Sequence, residues 1–149
     1  AGAVGTHLAK LLSREHHDIT LMDESPEKLE DLSANFDIMT LPLSPSSVAA
    51  LKEAEVGDAD LFIGVTPDEA HNMTACMLAS KLGAKKTVAR VDNYEYTTPE
   101  NRDFFRTVGI DSIIYPEMLA GQEILHNIKR CLIRHVWEVQ NGALILLAV

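Results

Sequence analysis

The first residues of the chain have the types and spacing of a phosphate-binding turn. Ala1-Gly2-Ala3-Val4-Gly5 matches the last five positions of G-x-G-x-x-G, whose first glycine and preceding strand would lie before residue 1. In such a turn Gly2 lets the backbone approach a pyrophosphate, and Gly5 lets the following helix pack closely on the sheet. The helix N-terminus then offers free N–H groups to the phosphates. We therefore expect Gly2, Ala3, Val4 and Gly5 to hold a nucleotide, the alternative being a tight strand-to-helix turn.

An acidic residue follows the turn at the distance that dinucleotide binding requires. A strand-like run, Asp18 to Met22, leads into Asp23, which lies about twenty residues beyond the glycines. A carboxylate at this position accepts hydrogen bonds from a ribose 2′-OH and would repel a 2′-phosphate. Asp23 therefore favours NAD or an unmodified adenosine over NADP, unless it only caps the next loop.

Strand-like runs alternate with helical patterns through the first 115 residues, and this alternation predicts the fold class. The predicted strands are Asp18 to Met22, Phe36 to Leu41, Leu61 to Val65, Thr87 to Val91 and Ile110 to Tyr115. They are short and apolar on both faces, as strands of a covered parallel sheet are. Four pairs of a hydroxyl residue and proline predict helix starts: Ser25-Pro26, Ser44-Pro45, Thr66-Pro67 and Thr98-Pro99. The pattern predicts an α/β fold, a Rossmann-like doubly wound parallel sheet whose first strand is missing or truncated.

The last third of the chain departs from a plain nucleotide-binding domain. A helical pattern runs from Pro116 to about Arg134, and its apolar face is wider than one flank of a sheet needs. Two strand-like runs then flank Asn141-Gly142, which is a strong hairpin sequence. We expect a crossover helix followed by the start of a β-hairpin; the alternative is a sixth Rossmann helix with a hairpin at the sheet edge.

Composition narrows the possible partners. The chain has 149 residues, of which 46% are hydrophobic, and its formal net charge is -9. Nucleic acid is therefore not expected as a partner, because phosphate backbones are bound by clustered Lys and Arg that this sequence lacks. Cys76 and Cys131 are isolated on predicted helices, which favours buried free thiols in a reducing compartment over a disulfide. No run reaches the ~18 apolar residues of a membrane span, and the position of the glycine turn leaves little room for a signal peptide.

Taken in order, several motifs resemble the TrkA family, whose nucleotide-binding modules are also called KTN or RCK domains. Besides the glycine turn and Asp23, the resemblance rests on Asp58-Ala59-Asp60 before Phe62-Ile63-Gly64-Val65-Thr66, on Asn72-Met73, Ala75-Cys76 and Ala89-Arg90-Val91, and on Ile114-Tyr115-Pro116-Glu117. It covers essentially the whole chain. It implies a Rossmann nucleotide-binding domain at 1–116, a crossover and dimerisation helix at 117–135, and the start of a C-terminal subdomain at 136–149.

The resemblance also implies a function. Members of this family are cytoplasmic regulators that bind NAD(H) or an adenine nucleotide (ATP, ADP or AMP), form homodimers or homotetramers, and gate a membrane potassium transporter of the Trk type. The chain would then lie at the inner face of the membrane through its transporter partner, without inserting into the membrane. The ligand would bridge the glycine turn to Thr66, Glu69 and Asn72.

Three positions differ from the family pattern or remain open. Leu41-Pro42-Leu43-Ser44 replaces the turn that lines the adenine, and Ala3 stands where ATP-responsive relatives carry a phosphate-binding arginine. Ala3 favours a dinucleotide. Arg90 ends a predicted strand where open parallel sheets bind ligands, but a salt bridge with Asp92 or Glu95 is an equal alternative.

A small NAD-dependent oxidoreductase is the main alternative function, because a fold alone says nothing about chemistry. A dehydrogenase needs a proton donor or acceptor against the substrate carbon. The tyrosines of this chain lack a lysine four residues later, and its six histidines lack metal-ligand spacing. We therefore expect no enzymatic activity, no catalytic residue and no metal site. An interaction scaffold that no longer binds nucleotide is a third possibility.

Overall fold

The computed structural model describes residues 2–131, 135–139 and 144–148. The chain divides into two compact units, Ala1–Tyr115 and Pro116–Val149. The helices of the first unit are α1 (Ala3–Arg14), α2 (Glu27–Asn35), α3 (Val48–Glu53), α4 (Glu69–Leu82) and α5 (Pro99–Thr107). Its strands are β1 (Thr20–Met22), β2 (Met39–Leu41), β3 (Phe62–Gly64), β4 (Thr87–Arg90) and β5 (Ser112–Ile114). Short 3₁₀ turns cover Val56–Asp58 and Tyr94–Thr97.

All strands of the first unit pair in parallel, and the α/β alternation is confirmed. β1 pairs with β2, and β3, β4 and β5 form a second ladder in that order. In the doubly wound order 3-2-1-4-5-6, the strand before the glycine turn lies between the strands that correspond to β1 and β3. The described residues contain no such strand and no ladder between β1 and β3. Each predicted strand is present but shorter at one or both ends than the sequence indicated.

Helix α4 contributes residues to two buried hydrophobic clusters of the first unit. Through Ala79 it packs with Leu51 and Val56, and through Cys76 it packs with Phe105 and Ile110. Ala79 and Cys76 are fully buried, so the axis of α4 is fixed along the β3–β4–β5 ladder. The first turn of α4 therefore lies at the carboxyl end of β3, where ligands bind in open parallel sheets.

Three of the four predicted hydroxyl–proline helix starts were wrong in detail. Only Thr98-Pro99 places the hydroxyl residue at the N-cap and proline at the first helical position. α2 has Pro26 itself as N-cap, whereas α3 begins after Ser47 and α4 after Asp68. Ser47 and Asp68 are the N-cap residues because each side chain accepts a hydrogen bond from a backbone N–H three residues later.

The second unit contains one helix and a hairpin. They are α6 (Pro116–Cys131), β6 (His135–Val139) and β7 (Leu144–Ala148). The antiparallel pairing runs from His135 opposite Ala148 to Val139 opposite Leu144, which confirms the predicted hairpin strands. The Asn141-Gly142 turn and the predicted last residues of the helix, 132–134, lie outside the described residues.

Helix α6 carries large apolar side chains that its own unit does not cover. Ile124, Leu125 and Ile128 are each more than half exposed. Their spacing of three and four residues puts them on one face of the helix. No helix in the described part of the chain is long and apolar enough to span a bilayer.

Candidate functional site

The carboxyl ends of β3 and β4 meet at one edge of the parallel ladder. Gly64 pairs with Ala89 in the register, so the residues that follow, Thr66 and Arg90, lie beside each other at this edge. Asp23 follows β1 in the same way, beside the end of β2. Parallel strands present all their carboxyl ends on the same side, and this is where such sheets bind ligands.

Asn72 joins the two strand ends. Its side chain is buried, with 1% of the residue exposed. The Oδ1 atom accepts hydrogen bonds from the Thr66 backbone N at 2.7 Å and from the Thr66 hydroxyl at 2.8 Å. Its Nδ2 atom donates to the Thr66 carbonyl at 2.8 Å and to the Arg90 carbonyl at 3.0 Å. All four hydrogen-bonding positions of the amide therefore bind protein groups, so Asn72 fixes the ends of β3 and β4 relative to each other.

A close approach of two backbones at Gly64 makes this arrangement possible, a role not predicted for this residue from the sequence. A Cβ atom on Gly64 would lie 3.0 Å from the Asn72 carbonyl oxygen and 3.1 Å from its Cα. Any side chain at this position would push α4 away from β3. The available sequence indication was a glycine inside a strand, which often marks such an approach.

Glu69 fixes the loop that follows β4. Its Oε2 atom accepts hydrogen bonds from the backbone N atoms of Asp92, at 2.9 Å, and Asn93, at 3.0 Å. The neighbouring Asp68 caps α4 by accepting from the His71 backbone N at 3.0 Å. Both acidic side chains at the start of α4 thus bind backbone N–H groups of the protein.

Arg90 brings a cation to the carboxyl end of β4, and this cation has a carboxylate partner. Its Nη2 atom lies 3.0 Å from Oδ1 of Asp92, with 21% of the Arg90 side chain and 46% of the Asp92 side chain exposed. The salt bridge that the sequence left open is therefore formed, with Asp92. The Nε atom of Arg90 is buried and has no hydrogen-bond partner within the described part of the chain. A buried donor without a partner is costly, so an acceptor from a ligand would be stabilising there.

The glycine turn forms the start of α1. Gly2 is the N-cap, with an extended backbone (φ -74°, ψ 175°), and no side chain caps the helix. The first turn carries no acidic residue, and Ala3 and Val4 are exposed. Their N–H groups are thus available to an anion. A Cβ atom on Gly5 would approach Val65 Cγ2 to 3.4 Å, which places the buried side of α1 against the end of β3.

Asp23 lies at the end of β1 with 17% of its side chain exposed. Its Oδ1 atom accepts a hydrogen bond from the Ser25 backbone N at 2.9 Å and lies 3.6 Å from the Lys28 ammonium. The turn that leads into α2 therefore holds the carboxylate at the carboxyl end of β1. The Lys28 ammonium partly offsets its negative charge.

Cys76 is the cysteine whose side chain the structure describes, and it is not in a reactive environment. Cys76 is a free, buried thiol 3.3 Å from the Val88 carbonyl oxygen, and burial raises its pKa to about 12. Such a thiol is not a nucleophile near neutral pH. The side chain of Cys131 lies outside the described residues. Among the described side chains, no three His, Cys, Asp or Glu residues are grouped to hold a metal ion.

Comparison with family models identifies the kind of Rossmann-like domain to which this chain belongs. Residues 1–116 match the family model described as the TrkA-N domain. The chain belongs to the TrkA-N domain family. The match covers the glycine turn, Asp23, the Asn72 network and Arg90, and it confirms the resemblance that the motifs indicated.

Curated relatives carry potassium-uptake names. The chain is 39% identical over 126 residues to the Trk system potassium uptake protein TrkA of Haemophilus influenzae, covering 83% of this chain and 28% of the relative. It is 35% identical over its whole length to TrkA of Halomonas elongata, of which it covers 33%. A TrkA homolog of Methanothermobacter thermautotrophicus is 31% identical, with 80% of this chain and 53% of the relative covered. The chain thus spans between a quarter and about half of the length of these relatives.

Solved structures show the same fold. The TrkA-N domain of the inner membrane protein ybaL from Escherichia coli superposes with a TM-score of 0.73 at 14% identity, covering 85% of this chain and 90% of that one. The NAD(P)-binding domain of an exopolyphosphatase-related protein from Archaeoglobus fulgidus gives 0.70 at 16% identity, with 86% and 92% covered. The GsuK channel bound to NAD gives 0.59 at 17% identity, with 72% and 18% covered.

Proposed function

We propose that this chain is a nucleotide-sensing regulatory domain that controls a membrane potassium transporter. The observation that carries the proposal is the first turn of α1, which no side chain caps and whose buried side lies against the end of β3. Thr66 and Arg90 lie at the carboxyl ends of β3 and β4, and Asp23 lies at the carboxyl end of β1. The names of the relatives, which are potassium uptake proteins, and a neighbouring channel structure bound to NAD support the choice of ligand and partner.

The residues present fit NAD or NADH. The first-turn N–H groups of Gly2 to Gly5 would bind the pyrophosphate, and Asp23 would accept hydrogen bonds from a ribose hydroxyl. The buried, unpartnered Nε of Arg90 would donate to an acceptor on the ligand. Thr66 would border the ligand, while Glu69 and Asn72, whose bonds go to the protein, would keep the edge in shape.

Regulation would proceed by a population shift. A ligand that binds one arrangement of paired domains better than another stabilises that arrangement by the difference in binding free energy. We propose that the domains pair through α6 as homodimers or homotetramers, and that the transporter senses the angle between them. The nucleotide would act as a signal and leave unchanged. ATP, ADP and AMP are the alternative ligands.

The test is selectivity between NADH and NADPH, measured by titration calorimetry on the full-length protein. We expect NADPH to bind at least tenfold more weakly, because its 2′-phosphate would lie against the Asp23 carboxylate. Asp23→Ala should narrow the gap. The matched control is Asp37→Ala, which removes an exposed carboxylate before the amino end of β2. Equal affinities for the two nucleotides in the unaltered protein would contradict the role given to Asp23.

A further inference from the structure

The Arg90–Asp92 ion pair is held in place from both sides by helix α4. Asn72 binds the carbonyl of Arg90 at 3.0 Å, and Glu69 binds the backbone N of Asp92 at 2.9 Å. Between these two anchors, the guanidinium and the carboxylate are 3.0 Å apart. Because the backbones on both sides of the pair are fixed, the arrangements that the two charges can adopt before any ligand arrives are limited.

This pair removes the positive charge that an anionic ligand would otherwise meet. A guanidinium paired with a carboxylate carries no net charge, so it attracts an anion less strongly than a free guanidinium does. Arg90 still has a donor to offer, since its Nε atom has no partner among the described residues. The edge therefore provides a hydrogen-bond donor without a net positive field.

We propose that Asp92 determines ligand choice at this edge, making it accept a dinucleotide and disfavour a nucleoside triphosphate. The inference rests on the nucleotide-binding function proposed above and adds a specificity residue to it. A dinucleotide carries two phosphate charges, both near the glycine turn, whereas a triphosphate carries additional charge at its end. Asp92 neutralises the cation that would otherwise bind that additional charge.

The experiment compares ATP with NADH on the full-length protein, in the presence of EDTA so that no divalent cation masks the phosphates. Asp92→Asn keeps the shape of the side chain and removes its charge. We expect this change to raise the affinity for ATP relative to NADH by about tenfold, the effect of one partly screened charge contact. The gain should shrink as salt is added. Asp92→Glu, which retains the charge, should keep the ratio of the unaltered protein.

The matched control is Asp103→Asn, which removes the carboxylate of another Asp–Arg pair, 2.9 Å from Arg106 on α5. An unchanged ATP-to-NADH ratio in Asp92→Asn, or an equal change in Asp103→Asn, overturns the inference. Asp92→Ser, checked for folding by circular dichroism, provides a second neutral variant and should shift the ratio in the same direction. If the folded, unaltered protein binds neither nucleotide, the proposed function itself fails, and this result differs from binding with an unshifted ratio.

Discussion

Removing the Asn72 amide should strongly destabilise the first unit, because it leaves several backbone groups at the carboxyl edge without their partner. In Asn72→Ala, the Thr66 N, the Thr66 carbonyl and the Arg90 carbonyl each lose their bond to the amide. A buried polar group left without its partner costs about 1–3 kcal/mol. With some relaxation and water entry, the three groups together give a loss of about 3–5 kcal/mol in the free energy of unfolding.

The assay is thermal unfolding followed by circular dichroism. A domain of this size loses about 2–4 °C in Tm for each kcal/mol, so we expect a fall of roughly 10 °C in Asn72→Ala. The control is Asn101→Ala, which removes one exposed hydrogen bond, from Nδ2 to the Glu95 carbonyl at 2.8 Å. Its Tm should change by no more than about 2 °C, as exposed substitutions do.

A third variant separates the loss of hydrogen bonds from the loss of volume. Asn72→Asp keeps the shape and the acceptor that faces the Thr66 N, but it places an oxygen against the carbonyls of Thr66 and Arg90. We expect a loss at least as large as in Asn72→Ala, because a buried unpaired charge adds its own cost. A Tm of Asn72→Ala within 2 °C of the unaltered protein would refute the role given to this network.

Two further predictions concern assembly and chemistry. Replacing the exposed Ile128, which is 59% accessible on α6, with Glu should convert dimers or tetramers into monomers or insoluble protein, whereas Gln122→Glu on the same helix should not. Light scattering checks this, and a monomeric unaltered protein at micromolar concentration would contradict it. Incubation with NADH and a broad panel of carbonyl compounds should give no loss of absorbance above background, because the nucleotide is proposed as a signal. Turnover of one substrate that is abolished by His71→Ala or Tyr94→Phe would favour the oxidoreductase.

The order of elements could be predicted from the sequence because it depends on local patterns. Short apolar runs and Thr98-Pro99 marked elements that the structure contains. The exact helix starts could not be predicted, because Ser47 and Asp68, which follow two of the hydroxyl–proline pairs, are themselves good N-cap residues and accept the capping hydrogen bonds in the structure.

The site was predictable as a set of positions but only partly as a set of roles. The family resemblance implies Asn72 and Glu69 as ligand contacts, yet their side chains bind Thr66, Arg90 and the loop after β4. A buried Asn can hold a ligand or the backbone equally well, and sequence spacing does not distinguish the two. The sequence also could not decide whether Arg90 pairs with Asp92 or with Glu95, because both carboxylates lie within reach of its long side chain.

Potassium uptake in cells tests most directly whether this domain regulates a potassium transporter in response to nucleotide. The initial uptake rate at low external potassium should be measured in cells that contain the protein, in cells that lack it, and in cells that carry Asp23→Ala. We expect the rate to change when the protein is removed, and Asp23→Ala to reproduce at least part of that change because the nucleotide is no longer bound normally. Equal rates in all three strains would contradict the account.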